Sequence, residues 1–293
     1  MSTPHKDEIT GVETTGHEWD DIRELNNPLP KWWVYTFYAT IVWSLAYFVF
    51  MPSWPVFWNG EWTALEGVLG YSQRGAVTEE LAAIEEGRAD YMQAIAATDI
   101  SKIQANPELM ELAVAGGKAL FGDNCAPCHG SGAQGFKGYP NLNDDNWIWG
   151  GTLEAIQTTI THGIRWELDD DTRFNMMPRF LTDGILSREE VGNVTDYVLA
   201  ISGQGEMTES AQAGAEIFAQ QCAACHGESG AGNQELGAPN LTDAIWLYGG
   251  NRSDIYESIA KARAGVMPAW GGRLTDAEIK ELTLYVHTLG GGQ

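Results

Sequence analysis

Positive charge is scarce in this chain. Seventeen Lys and Arg stand against 40 Asp and Glu, a formal net charge of -23 over 293 residues. Such a balance repels phosphate backbones and excludes nucleic acid as a partner. It leaves a well-solvated surface or basic partners, and no single acidic tail accounts for it. Histidine is equally thin: six residues, none between positions 18 and 128. An Ala-x-Ala cleavage site is missing around the first apolar run, and the region before that run is acidic, so a removable leader is a poor fit. Cysteine is limited to four residues, all of them inside two copies of one short pattern. The 44% hydrophobic content is ample for real cores, and the length suits two modest domains with something added.

Charge is also absent from Trp32 to Phe50, "WWVYTFYATIVWSLAYFVF". A helix of that length covers about 28 Å, close to the hydrocarbon thickness of a bilayer. Trp32, Trp33 and Tyr35 crowd one end and Trp54, Phe57 and Trp58 the other, the belt expected at two interfaces. Pro52 and Pro55 stop the helix. The segment reads as an uncleaved anchor in lipid. Lys6, Arg23 and Lys31 precede it and Arg74 alone follows closely, a weak bias for an inside N-terminus.

The cysteines occur as "CAPCHG" (Cys125, Cys128, His129) and "CAACHG" (Cys222, Cys225, His226). C-x-x-C-H is the attachment signature of c-type haem. Each thiol adds to one vinyl group on the porphyrin edge. Two intervening residues let one turn present both sulfurs, and the His then lies beneath the iron as an axial ligand. A four-Cys zinc site places its two knuckles far closer together. A redox dithiol needs a thioredoxin-like context that this chain lacks. Two copies using every cysteine leave little room for coincidence, so two covalently bound haems are expected.

The pattern sits in a longer repeat. "GKALFGDNC" aligns with "GAEIFAQQC", matching Gly117 with Gly214 and Phe121 with Phe218. "YPNLNDDNWIWGG" aligns with "APNLTDAIWLYGG", and "MPRF" with "MPAW". Each copy closes on a helix announced by a capping box, Ser187 to Glu190 and Thr275 to Glu278. The resemblance is to the class I cytochrome c fold, over residues 110–202 and 208–290. Met177 and Met267, each before Pro, are the candidate sixth ligands, with Met176 as a neighbour of less suitable register. A thioether favours Fe(II), raises the potential and closes the iron to small substrates. This speaks against a dihaem peroxidase or haem sensor. The spacing leaves open whether each Met serves the His of its own copy or of the other. Pro140 and Pro239 stand where this fold has a proline carbonyl that accepts the ligand histidine's other ring N–H.

With no histidine from 18 to 128, the membrane helix has no ligand for haem b or copper. Oxygen or quinone chemistry then belongs to another chain. His162 and His287 lack a second ligand at metal-like spacing and read as solvated or packed. The longer first copy carries "IRWELDDDTRFN", which reads as a docking loop or, more simply, a tolerated surface insertion. Between membrane and haems, Thr78 and Glu80 suggest a helix start, with Leu81, Ile84, Arg88, Tyr91 and Ile95 on one face.

The entry "NNPLPKWW", the membrane helix, "LGYSQRG" and the paired Met-Pro haem modules together resemble the dihaem subunit of cbb3-type cytochrome c oxidases, over nearly the whole chain. The resemblance implies a mainly α protein: an N-terminal tail (1–31, cytoplasmic), a transmembrane helix (32–51), interfacial and linker helices (52–109) and two tandem cytochrome c-like domains (110–202 and 208–290). It implies a bacterial inner membrane with periplasmic haem domains. The partners would be a copper–haem catalytic subunit, a monohaem cytochrome c subunit and a donor cytochrome c. Electrons would pass from that donor toward oxygen reduction on another subunit. A free-standing anchored dihaem shuttle is the alternative, with the same haem sites and no fixed partners.

Overall fold

The computed structural model describes residues 5–291. Two turns with left-handed backbone make hairpins early in the chain. Strands β1 (Thr14–Trp19) and β2 (Ile22–Leu25) pair antiparallel across Asp20 and Asp21, at φ 49° and 66°. Between them stands the membrane candidate α1 (Lys31–Phe50), and beyond it β3 (Pro55–Trp58) and β4 (Glu61–Ala64) pair across Asn59 and Gly60, at φ 52° and 88°. Two-residue hairpin turns need positive φ at both positions, which Asn-Gly tolerates best. The flanking aromatics Phe57 and Trp58 therefore lie on a strand as well as at the expected interface belt.

Helix α1 begins one residue before the charge-free run and ends where Met51 turns extended ahead of Pro52. None of its residues is buried. Its last orphan carbonyls, Val49 and Phe50, accept the N–H groups of Val68 and Leu69 at 3.0 and 3.2 Å.

Helix α2 (Gln73–Ala97) starts five residues before the expected Thr78. Ser72 Oγ accepts the Gly75 N–H at 2.9 Å and so caps the start, while Thr78 is interior, its hydroxyl donating to the Arg74 carbonyl. The expected apolar face divides. Leu81 and Ile84 remain 55% exposed, whereas Ile95 is fully buried. The chain forms two compact units that divide between Gly87 and Arg88.

In the second unit, Ile95 joins Ile100 and Ile103 of α3 (Ile100–Gln104), Ala113 of α4 (Pro107–Asn124) and Leu284 of α11 (Asp276–Leu289) in one core. The haem-motif turns are one-turn helices, α5 (Ala126–His129) and α9 (Ala223–His226). Around them lie α6 (Leu153–His162), α7 (Arg188–Ile201), α8 (Glu209–Gln221) and α10 (Arg252–Lys261). Both capping boxes form as expected, at Ser187/Glu190 and Thr275/Glu278.

Packing crosses the repeat. Helix α4 packs on α11 and α8 on α7, so each motif helix meets the closing helix of the other copy. Phe121 meets Tyr285 at 5.5 Å between ring centroids, and Phe218 meets Tyr197 at 5.2 Å. One core combines Val194, Val198, Phe218, Ile255 and Ile259; the other combines Phe121, Ile156, Ile160, Ile279, Leu282 and Val286. The lobe built on α7 to α10 is continuous in sequence. It is spliced into the lobe built on α4 to α6 and α11.

Gly117 and Gly214, aligned in sequence, mark the two helix crossings. A Cβ on Gly214 would fall on the Asn193 carbonyl, and one on Gly117 on the Glu281 carbonyl. Backbone cannot yield as a side-chain tip does. Gly214→Ala is expected to cost about 1–3 kcal/mol through overpacking, read as a lower denaturation midpoint of the haem-loaded protein. An unchanged midpoint would mean that α7 and α8 can separate freely.

Candidate haem sites

The two motif turns are superimposable in their bonding. The His129 N–H donates to the Cys125 carbonyl at 2.9 Å and the His226 N–H to Cys222 at 3.0 Å. Gly130 and Gly227 leave the turns at φ 83° and 78°, backbone that a Cβ would strain. All four cysteines are free thiols. Burial, and then the neighbouring thiol, pushes Cys125 and Cys222 up to about 11.

Each motif histidine is fixed from behind. His129 Nδ1 lies 3.1 Å from the Pro140 carbonyl and His226 Nδ1 3.0 Å from that of Pro239. A carbonyl can only accept, so Nδ1 carries the proton and the Nε2 lone pair is free. Burial holds both rings below the usual imidazole range, with the proline carbonyl opposing. Neutral imidazole with a free Nε2 is the form that ligates iron.

Both turns open into one cavity of about 820 Å³. Cys125, Cys128, His129, Cys222, Cys225 and His226 line it together with Met177 and Met267. Met177 packs on the core that also holds Phe218 and Cys222, and Met267 on the core that holds Phe121 and Cys125. The structure thus brings each methionine to the motif of the other copy. Met176 is 54% exposed. The tryptophans follow the same crossing. Trp147 Nε1 donates to the Gly291 carbonyl beyond α11 at 2.8 Å, and with the Gln204 side-chain amide turned to satisfy its neighbours, Trp246 Nε1 donates to the Gln204 amide oxygen beyond α7 at 3.1 Å.

The comparisons with known proteins cover the whole chain. Residues 11–58 match the N-terminal domain of cytochrome oxidase-cbb3, FixP; residues 114–202 match cytochrome c; residues 209–286 match cytochrome c oxidase, cbb3-type, subunit III. The cbb3-type cytochrome c oxidase subunit FixP of Azorhizobium caulinodans is 54% identical over 300 residues, with 100% of each chain covered. The chain belongs to the CcoP/FixP family of cbb3-type oxidase subunits. The CcoP subunit of Cereibacter sphaeroides is 50% identical over 290 residues and 99% of each chain, and the FixP subunit of Bradyrhizobium diazoefficiens 50% over 288 residues and 98% of each.

As a CcoP/FixP protein it is an electron-transfer subunit of an oxidase complex, with two c-type haems and a membrane anchor. The residues present fit the haems. Free thiols, singly protonated imidazoles and thioethers face one largely apolar space. Two expectations need correction. His162 is not without carboxylate company: its Nδ1 lies 3.1 Å from Asp169, and Asp171 lies close by. The 164–175 insert is not a mere surface loop. Ile164 exchanges backbone hydrogen bonds with Met267 at 2.9 and 3.0 Å, a pairing across 103 positions that no local sequence signal reports.

Proposed function

We propose that this CcoP/FixP chain relays electrons from a donor cytochrome c, through two His/Met haems, to the copper–haem catalytic subunit that reduces oxygen to water. The observation that carries the proposal is the single cavity lined by both motif turns and both methionines. The haems supply the one-electron chemistry. The chain's residues do the rest. Cys125, Cys128, Cys222 and Cys225 anchor covalently, and Pro140 and Pro239 hold the ligand tautomers. Met177 ligates the haem of His226, and Met267 that of His129. The shared cores support this crossed set, in which each haem lobe is a composite of residues from both sequence copies, 110–202 and 208–290.

The chain is proposed to cross the bacterial inner membrane once, through α1, with the N-terminal tail (1–31) cytoplasmic and the haem lobes periplasmic. Residues 52–109 connect the two regions. The monohaem cytochrome c subunit of the same complex receives electrons next. A free-standing shuttle would have the same haem sites but no fixed partners. Purification of the tagged chain from membranes should bring down a copper oxidase at constant stoichiometry, and a chain recovered alone would favour the shuttle.

An acidic surface steers a basic donor. The second-order rate of haem reduction by a basic cytochrome c is expected to fall about tenfold as ionic strength rises from about 0.01 to 0.15 M, where the screening length shortens to about 8 Å. Stopped-flow absorbance reads this directly. A flat rate would remove electrostatic steering.

A further inference from the structure

Arg165 is the second residue of the 164–175 insert and lines the shared cavity. Its backbone is left-handed, at φ 54°, held by its N–H donating to the Arg173 carbonyl at 2.9 Å. Its side chain reaches both methionine loops. Nε donates to the Gly265 carbonyl at 2.7 Å, two residues before Met267. Nη1 donates to the Asn175 carbonyl at 3.0 Å, two residues before Met177.

Both partners are neutral. By contrast Arg88, Arg179, Arg252 and Arg263 each have a carboxylate at 3.8 Å or closer. Among the described residues no carboxylate pairs with Arg165, and burial lowers its pKa from the usual arginine value. A guanidinium drawn partly out of water without a counter-charge is unfavourable unless an anion joins it. Haem brings two carboxylates, the propionates, into this same cavity, and a planar guanidinium suits carboxylate.

We propose that Arg165 is a haem-carboxylate-binding residue between the two haem sites, and that its charge sets the haem potentials. This rests on the two-haem reading above. A fixed positive charge favours the reduced, less positive iron. It also keeps the bound carboxylate ionised.

The test uses the full chain with its haems, titrated spectroelectrochemically from about pH 6 to 9. Arg165→Gln removes the charge. At a fixed applied potential, the ratio of reduced to oxidised haem is expected to fall about tenfold for at least one haem, equivalent to about 59 mV for one electron. The freed carboxylate should then titrate, so that the potential falls as pH rises. Arg165→Lys keeps the charge and loses the fork; its ratio is expected within about threefold of wild type. Arg165→Lys carries the decision alone if Arg165→Gln does not retain both haems. A fall in Arg165→Lys as large as a charge loss would overturn the proposal and leave Arg165 a brace for the methionine loops. So would Arg165→Gln titrating like wild type. A wild-type chain without covalent haem on a haem-stained gel would overturn the two-haem reading together with this one.

Discussion

Met177→Ala is expected to strip the methionine ligand from the haem bound at Cys222 and Cys225, and to leave the haem at Cys125 and Cys128 intact. The reason is local packing. Met177 shares its core with Cys222, Ala223, Val194, Phe218 and Ile255, while Met267 shares one with Cys125, Ala126, Phe121 and Ile160. Axial ligand identity spans about 0.8 V of haem potential, and thioether ligation lies toward the high end. Loss of Met177 should therefore lower one potential by a sizeable part of that range. About half of the far-red charge-transfer absorption of the ferric protein should go with it. Met267→Ala should do the same to the other haem. Proton NMR of the reduced wild type assigns the pairs without mutation. The Met177 methyl should show dipolar contacts to the haem carried by Cys222 and Cys225. Contacts to the haem at Cys125 and Cys128 would restore the ligation within each copy.

The second large effect concerns Glu281, whose side chain is fully buried on α11 against Gly116 and Gly117 of α4. No well-formed hydrogen bond reaches either carboxyl oxygen, and the nearby Tyr91 hydroxyl offers only a weak one. Burial pushes its pKa to about 7; Arg88, 3.8 Å away, and the Tyr91 hydroxyl oppose this in part, and Glu278 adds to it. Lys280, next along the helix, is occupied with the carbonyls of Ile95, Ala96 and Thr98. An unfolded glutamate titrates near 4.3. Between those values the folded chain holds the extra proton, so this contribution is fully present below about pH 4.5. It is lost as pH rises through about 7. The full swing is at most about 4 kcal/mol. Glu281→Gln mimics the protonated acid. Relative to that variant, the wild type should lose about 3 kcal/mol between pH 4.5 and 8, by denaturant unfolding across the series. A pH-independent difference between the two would mean that the carboxyl reaches water or a partner in solution.

Much of the site was legible because its chemistry is local. The C-x-x-C-H turn needs consecutive residues, so Cys125 to His129 and Cys222 to His226 declare themselves. The histidine-bracing role of Pro140 and Pro239 came with the fold resemblance, and the structure bears it out. The capping boxes at Ser187 and Thr275 are four-residue devices and formed where they were read. The candidate anchor was equally plain, since a charge-free run from Trp32 to Phe50 needs no tertiary partner to be recognised.

Tertiary structure decided what depends on distant pairing. The two copies are similar enough that either closing helix suits either motif helix by composition. Only the crossings at Gly117 and Gly214, where backbone meets backbone, show that α4 takes α11 and α8 takes α7. The insert looked like surface because Glu167, Asp169, Asp170 and Asp171 dominate its composition. Its ends are nevertheless half-buried, because Ile164 pairs with Met267 and Arg165 bridges both methionine loops, one of them through the Asn175 carbonyl. The sequence by itself determined the number of haems, their candidate anchors and one helix long and apolar enough to cross a membrane, all set by contiguous residues. The fold alone decided which methionine packs beside which haem motif and how Arg165 bridges the two methionine loops, because both depend on packing between elements that are not neighbours in sequence.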